Sequence, residues 1–283
     1  MSGSDSLGGP NVASAAPTVT LTLADDLHRF LPPRLRAGCV TAAVADDSTL
    51  GHVVESAGVP LPEVGWLVVD GARADAAYRP QGGEAVEVYA VARPQQVPGP
   101  GLRFLLDVHL GALARRMRLV GLDTAYHNDC DDPVLVEQAN AERRVLLTQD
   151  RGLLRRRNLW FGAYVRGTRP DAQLDDLLRR FAPDLAPWTR CTSCNGPLAA
   201  VTKESVVDDV EPRTLASFDR FARCTACRRV YWHGSHGGRL DEIVDTALRT
   251  VADTAEAAGA AESAGAARAA DTAQTPGAPG AAG

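Results

Sequence analysis

The sequence predicts an α/β protein. A parallel sheet with helices on both faces is preceded by a smaller α+β domain and followed by a small cysteine-bearing ribbon. Three observations carry this. From Leu102 to Phe181 short apolar runs alternate with helical periodicities, which implies right-handed parallel βαβ units. Between Thr18 and Arg93 the signals read strand, strand, helix, strand, strand. Beyond Pro187, Cys191-x-x-Cys194 and Cys224-x-x-Cys227 stand 29 residues apart.

Residues 1–17 are small and polar, with neither a basic start nor an apolar core; they are expected to be disordered and not a signal peptide. In the domain at 18–93, Val19, Leu21 and Leu23 alternate with threonine as in a half-buried strand, and a second strand covers Cys39 to Val44. Ser48 is a suitable N-cap for a helix carrying Leu50, Val53, Val54 and Ala57, which Gly58 stops. Gly65 to Val69 is a strand, Asp70-Gly71 a hairpin turn, and Ala85 to Val91 another strand. Residues 94–101 hold three prolines and two glycines and read as a semi-rigid linker.

In the domain at 102–187, Phe104 to Leu106 is a buried strand. A helix with Leu110, Leu113, Met117 and Val120 on one face follows and ends at Gly121. Leu122 to Tyr126 is a second strand, and Pro133 opens a helix running to Glu142. Arg144 to Leu147 is a third strand. A short helix at Leu153 to Arg156, a strand at Trp160 to Val165 and an amphipathic helix at Asp171 to Phe181 complete it. The ribbon occupies 188–240. Residues 241–283 form an Ala/Gly-rich tail expected to be disordered, though its first part could hold a helix.

A net charge of −5 excludes a globally basic nucleic-acid binder, but residues 101–190 carry 15 Arg against 12 Asp plus Glu. Such a surface suits bidentate phosphate contacts, or is simply a solvated arginine-rich face. No apolar run is long enough for a membrane span, and six cysteines are too few for a disulfide scaffold. A cytoplasmic location is the expectation.

Asp107, Asp131 or Asp132, and Asp150 each follow a predicted strand at its carboxyl end. Each could simply cap the next helix. Parallel strands, however, place all these ends on one rim, where open α/β sheets bind ligands. Carboxylates gathered there repel one another unless a cation lies between them, and oxygen ligands suit Mg²⁺ or Mn²⁺. The expectation is a hydrolytic phosphodiesterase site, with Asp107 and Asp150 as direct ligands and Asp132 binding a second metal or the first one's waters. Asp131 and Asp132 could exchange roles. Glu142 lies nearly three helical turns from Asp132 and reads as a surface or ion-pair residue. Thr148 reads as a buried, satisfied hydroxyl, or as a contact to phosphate. His109 is structural.

The first domain resembles the ubiquitin-like β-grasp fold. Gly58-Val59-Pro60, Glu63-Val64-Gly65, Val69-Asp70-Gly71 and Gly83-Glu84-Ala85-Val86-Glu87-Val88-Tyr89 are similar to its sulfur-carrier branch. Carriers work through a free Gly-Gly terminus, whereas this chain runs on through Ala92-Arg93-Pro94, so the resemblance implies an accessory domain docking a protein partner.

The strings Phe104-Leu105-Leu106-Asp107-Val108-His109-Leu110-Gly111, Leu119-Val120-Gly121-Leu122-Asp123-Thr124, Asp131-Asp132 and Val145-Leu146-Leu147-Thr148-Gln149-Asp150 resemble the PIN-like RNase domain. The branch is named after the C-terminal RNase region of the mutator-seven exonuclease. It pairs this domain with a zinc ribbon and often an N-terminal ubiquitin-like domain. The resemblance implies metal-dependent RNA hydrolysis with Asp107, Asp132 and Asp150 as the site acids. The family's further glutamate has no counterpart between Asp107 and Asp131, and Asp123 is the nearest substitute. The competing expectation is a non-catalytic RNA-binding adaptor that uses the ribbon and arginines.

Cys191, Cys194, Cys224 and Cys227 match a closed structural Zn²⁺ site, with an iron–sulfur cluster or a redox pair as alternatives. Arg223, Arg228, Arg229, Tyr231 and Trp232 could contact RNA or merely cover the ribbon. His233 and His236 lie close by, but four thiolates already fill the metal. Cys39 reads as a small buried residue. Cys130, among acids that raise a thiol pKa, has no nucleophilic role.

Overall fold

Val19, Leu21 and Leu23 are buried and the threonines between them exposed, so the period-2 pattern becomes β1 (Thr18–Leu23). The structure is a computed structural model and describes residues 16–36, 39–45, 47–99, 101–232 and 237–273. The expectations for residues 1–15, His233, His236 and 274–283 lie outside the described residues. The chain divides into two compact units, Met1–Ala90 and Val91–Gly283.

In the first unit β1 is followed by β2 (Val40–Ala43), α1 (Leu50–Ser56), β3 (Val64–Val69), β4 (Ala72–Ala74) and β5 (Ala85–Ala90). The sheet order is β2-β1-β5-β3-β4, with β1 and β5 parallel and the other pairs antiparallel. Thr49, not Ser48, caps α1: its hydroxyl accepts the His52 N–H at 3.3 Å. Asp70 and Gly71 both have positive φ, as the β3–β4 hairpin requires. Cys39 is exposed rather than buried, because it lies just before the edge strand β2.

The second unit runs β6 (Phe104–Leu106), α2 (Gly111–Leu119), β7 (Thr124–Tyr126), α3 (Asp132–Glu142), β8 (Val145–Thr148), α4 (Arg151–Leu154), β9 (Gly162–Tyr164) and α5 (Pro170–Phe181). Then come β10 (Leu198–Val201), α6 (Pro212–Ser217), β11 (Phe221–Cys224), β12 (Val230–Trp232) and α7 (Gly237–Ala273). The sheet β7-β6-β8-β9 is parallel throughout, as expected. Both faces are buried: Phe104, Leu106 and Leu147 pack with α2 and α5, while Leu105 and Leu146 pack with α3 and α4. Several boundaries differ from expectation. Asp131 is the residue before α3, and Asp150 caps α4 directly, which starts that helix at Arg151. β6 ends at Leu106, and His109 sits exposed in the helical turn that follows.

The stretch 94–101 is tied to α5: Gln95 N–H donates to the Arg180 carbonyl at 2.6 Å, beside the Arg93–Asp176 pair at 2.7 Å. The tail expected to be disordered is instead helical as far as Ala273. Val244 and Ala247 are buried against the α2–α5 core with Ile243 and Val251 packed beside them, so apolar burial holds the first turns of α7. Among the described residues no helix is long and apolar enough to cross a membrane.

Gly121 ends α2 at φ 89°, and a Cβ there would lie 2.0 Å from the Ala186 carbonyl oxygen. That backbone cannot retreat, because Ala186 N–H donates to Val120 and Trp188 N–H to Leu119. We expect Gly121→Ala to destabilise the second unit by at least about 2 kcal/mol, read as a lowered melting temperature. An unchanged melt would show that the segment can shift.

Candidate functional site

The order β7-β6-β8-β9 places the topological switch point between β6 and β8, and the residues following both strands carry the acids. Asp107 follows β6 and is 8% exposed. Its Oδ1 accepts the Val108 N–H at 2.6 Å and its Oδ2 accepts the Thr148 hydroxyl at 2.6 Å. The Thr148 oxygen in turn accepts the Asp150 N–H at 2.8 Å, so one hydroxyl joins the rims of β6 and β8. Thr148 is buried and satisfied, as the sequence suggested.

Asp150 is exposed. Its Oδ1 accepts the Gly152 and Leu153 N–H groups at 2.6 and 3.4 Å, while no bond to its other oxygen is found among the described residues. Asp132 opens α3 and pairs with Arg156, just beyond α4, at 3.2 Å. The sequence reading missed Arg156, since nothing local distinguishes it from its neighbouring arginines. Asp131 is exposed and makes no side-chain cap. The structure thus links Asp107, Thr148 and Asp150 directly, whereas Asp132 pairs with Arg156 beyond the carboxyl end of α4. Among the described residues the four acids do not include three with oxygens all within 4.8 Å of one another.

Asp123 takes no part. It precedes β7, and the register Phe104↔Thr124 puts it at the amino-terminal end of the sheet, opposite Asp107. There it accepts from Arg144 at 2.7 Å and Asn195 at 2.8 Å, with Arg190 at 3.4 Å. Burial would raise its pKa, but the Arg144 and Asn195 bonds outweigh it and hold the carboxyl below its ordinary range. A depressed folded-state pKa contributes stability above the unfolded value, lost as pH falls through the folded one. We expect Asp123→Asn to flatten the loss of stability below about pH 4, seen in melts from pH 7 to pH 3; an unaltered profile would exclude this carboxylate as its source. Glu142 is an ion-pair residue, 2.5 Å from Arg144. Burial and the neighbouring Asp131 and Asp129 raise the Cys130 thiol pKa.

The cysteines form a second site. The sulfurs of Cys191, Cys194, Cys224 and Cys227 all lie within 4.8 Å of one another. In each knuckle the last cysteine's N–H points at the first one's sulfur, at 3.4 Å, and the next residue, Asn195 or Arg228, turns the chain with positive φ. The 29-residue gap holds α6 and a satellite core of Val206, Val210 and Phe221, which explains its length. Burial disfavours the Cys191 thiolate, but the Tyr231 hydroxyl and backbone N–H groups lower its pKa to about 6; burial and neighbouring sulfurs push Cys194 up to about 12. Four sulfurs in this spacing fit tetrahedral Zn²⁺, whose charge would hold all four as thiolates. Buried Arg118 binds the Thr192 and Ser193 carbonyls on the knuckle and the Thr124 carbonyl on β7.

A model of the Mut7-C RNAse domain matches residues 102–244, and a model of the Mut7-C ubiquitin domain matches residues 16–96. This chain belongs to the Mut7-C RNAse domain family. No curated protein and no solved structure matches it. The Mut7-C match spans the sheet, the ribbon and the first turns of α7 together, so the cysteine site and the acids lie in one family domain. The ubiquitin-like and RNase parts follow in the order that the sequence suggested.

Proposed function

We propose that the chain is a metal-dependent ribonuclease whose Asp107 and Asp150 hold Mg²⁺ or Mn²⁺ at the carboxyl rim of the parallel sheet. The hydrogen-bonded link Asp107–Thr148–Asp150 at the switch point, inside a Mut7-C RNAse domain, carries this reading. The donor set fits: hard oxygens, one carboxylate fixed and nearly buried, the other exposed with an oxygen to spare. Mg²⁺ keeps several waters, so two carboxylates suffice as protein ligands. When bound, the ion lowers the pKa of a water and polarises the phosphoryl oxygen. Thr148 holds Asp107 in place, and the α4 cap aims Asp150. Asp132, released from Arg156, would add a third carboxylate, with Asp131 beside it; Arg156 would then be free to meet a phosphate. Zn²⁺ in the cysteine quartet is structural, and its thiolates suit a reducing, cytoplasmic setting.

A second reading is an RNA-binding adaptor, favoured by the caps that Asp107 and Asp150 also make. Incubating labelled single-stranded RNA with Mn²⁺ decides between them: cleavage supports the nuclease, and binding with no turnover supports the adaptor. The ubiquitin-like domain would dock a protein partner. Trp66 stacks on Tyr89 at 4.8 Å on the sheet face away from its core, with Arg73 over the Trp66 ring.

A further inference from the structure

Away from the acid rim, a groove of about 460 Å³ opens between α2, the ribbon sheet and the start of α7. Its volume lies in the range of small-molecule sites. Trp188, Phe221 and Trp232 line it, and Arg115, Arg220 and Arg239 stand among them; among the described residues no Asp or Glu lines it. Two further arginines there are already engaged, Arg116 with Asp171 and Arg190 with backbone carbonyls and Asp123. Arg115 and Arg220 are exposed and make no ion pair among the described residues, and Trp232 is 42% exposed. The arginines that adjacency to the knuckles had suggested are elsewhere: Arg223 is held by Asp209 at 2.6 Å, and neither Arg228 nor Arg229 lines the groove.

We propose that this groove binds single-stranded RNA, seating an unstacked base among the indoles while Arg115 and Arg220 take the flanking phosphates. Sequence-tolerant single-strand binding combines these two elements, aromatic faces for bases and cations along the backbone. Guanidinium is the cation that pairs with phosphate bidentately. An acidic peptide would satisfy the arginines but leave the aromatic cavity without a planar occupant. The proposal rests on the ribonuclease reading for its choice of RNA. It makes the groove a substrate-holding site distinct from the acids, so that chain length, not only the scissile bond, governs affinity.

The test uses the full chain carrying Asp150→Asn and a fluorescein-labelled twelve-residue oligouridylate, with anisotropy followed over a salt series. Adding Trp232→Ala is expected to weaken binding about tenfold. Adding Arg115→Ala or Arg220→Ala is expected to lower the slope of log affinity against log salt by about 0.7 each. All three side chains are exposed or half-buried, and metal content and melting temperature check that the ribbon is intact. Affinity within twofold of the parent in all three variants, or displacement of the RNA by an equally charged polyglutamate, overturns the proposal. With Asp150 restored, Arg220→Ala should slow cleavage of the twelve-mer but not of a trinucleotide. If no chain cleaves RNA, the nuclease reading fails while the binding result stands.

Discussion

Asp150→Asn will lower the rate of Mn²⁺-dependent RNA cleavage by at least about 100-fold while leaving the melting temperature almost unchanged. Losing a group behind a metal ligand typically costs 10- to 100-fold, so a direct ligand belongs at or above the upper end. Stability is spared for a specific reason. Asp150 is exposed, and its structural task is the α4 cap made by Oδ1. The asparagine carbonyl accepts the same N–H groups, and Asn and Asp are comparable caps. Asp107→Asn is the harsher partner experiment. Its new amide N–H would meet the Thr148 hydroxyl that now donates to Asp107, so Thr148 must reorient and about 1 kcal/mol of stability is lost with activity. Equal cleavage by parent and both variants would remove the acids from the mechanism.

Cys224→Ser, or removal of the metal by a chelator, will unfold the ribbon and leave the parallel sheet standing. Among the described residues the ribbon has three short strands and a satellite core with three buried members, Val206, Val210 and Phe221, too little apolar burial to fold alone. Structural zinc supplies on the order of 10 kcal/mol in comparable small domains. Cys191 and Cys224 are both 0% exposed, so a serine at 224 also buries an unmatched hydroxyl. The expected readouts are loss of one zinc per chain and new protease cleavage between Cys191 and Trp232. The sheet's circular dichroism signal would persist, because its core is built from α2, α5 and the strands themselves. A metal-free chain with unaltered protease resistance would show that the quartet is not structural. Iron in the purified protein would replace the zinc assignment.

The acids illustrate how far residue order carries. Asp107 and Asp150 were legible because a buried parallel strand is a short apolar run, and an acid at its end lands on a known rim. Their link through Thr148 was not legible, since it depends on β6 and β8 being neighbours while β7 lies outside them. Asp123 shows the converse. In sequence it looks like a spare site acid; in space it sits at the opposite end of the sheet, holding Arg144 and Asn195. The first turns of α7 drew their order from a core contributed by α2 and α5, which composition alone does not report.

Periodicity, turn residues and cysteine spacing carry the local matters: most strands and helices of the two larger sheets, and which thiols come together. These depend on neighbours within a few residues along the chain. The pairing of Asp132 with Arg156, the service of Asp123 to the ribbon and the arginine-rimmed groove were decided only by tertiary packing. Each brings together side chains from separate elements, and sheet order with helix docking, not spacing along the chain, sets their distance.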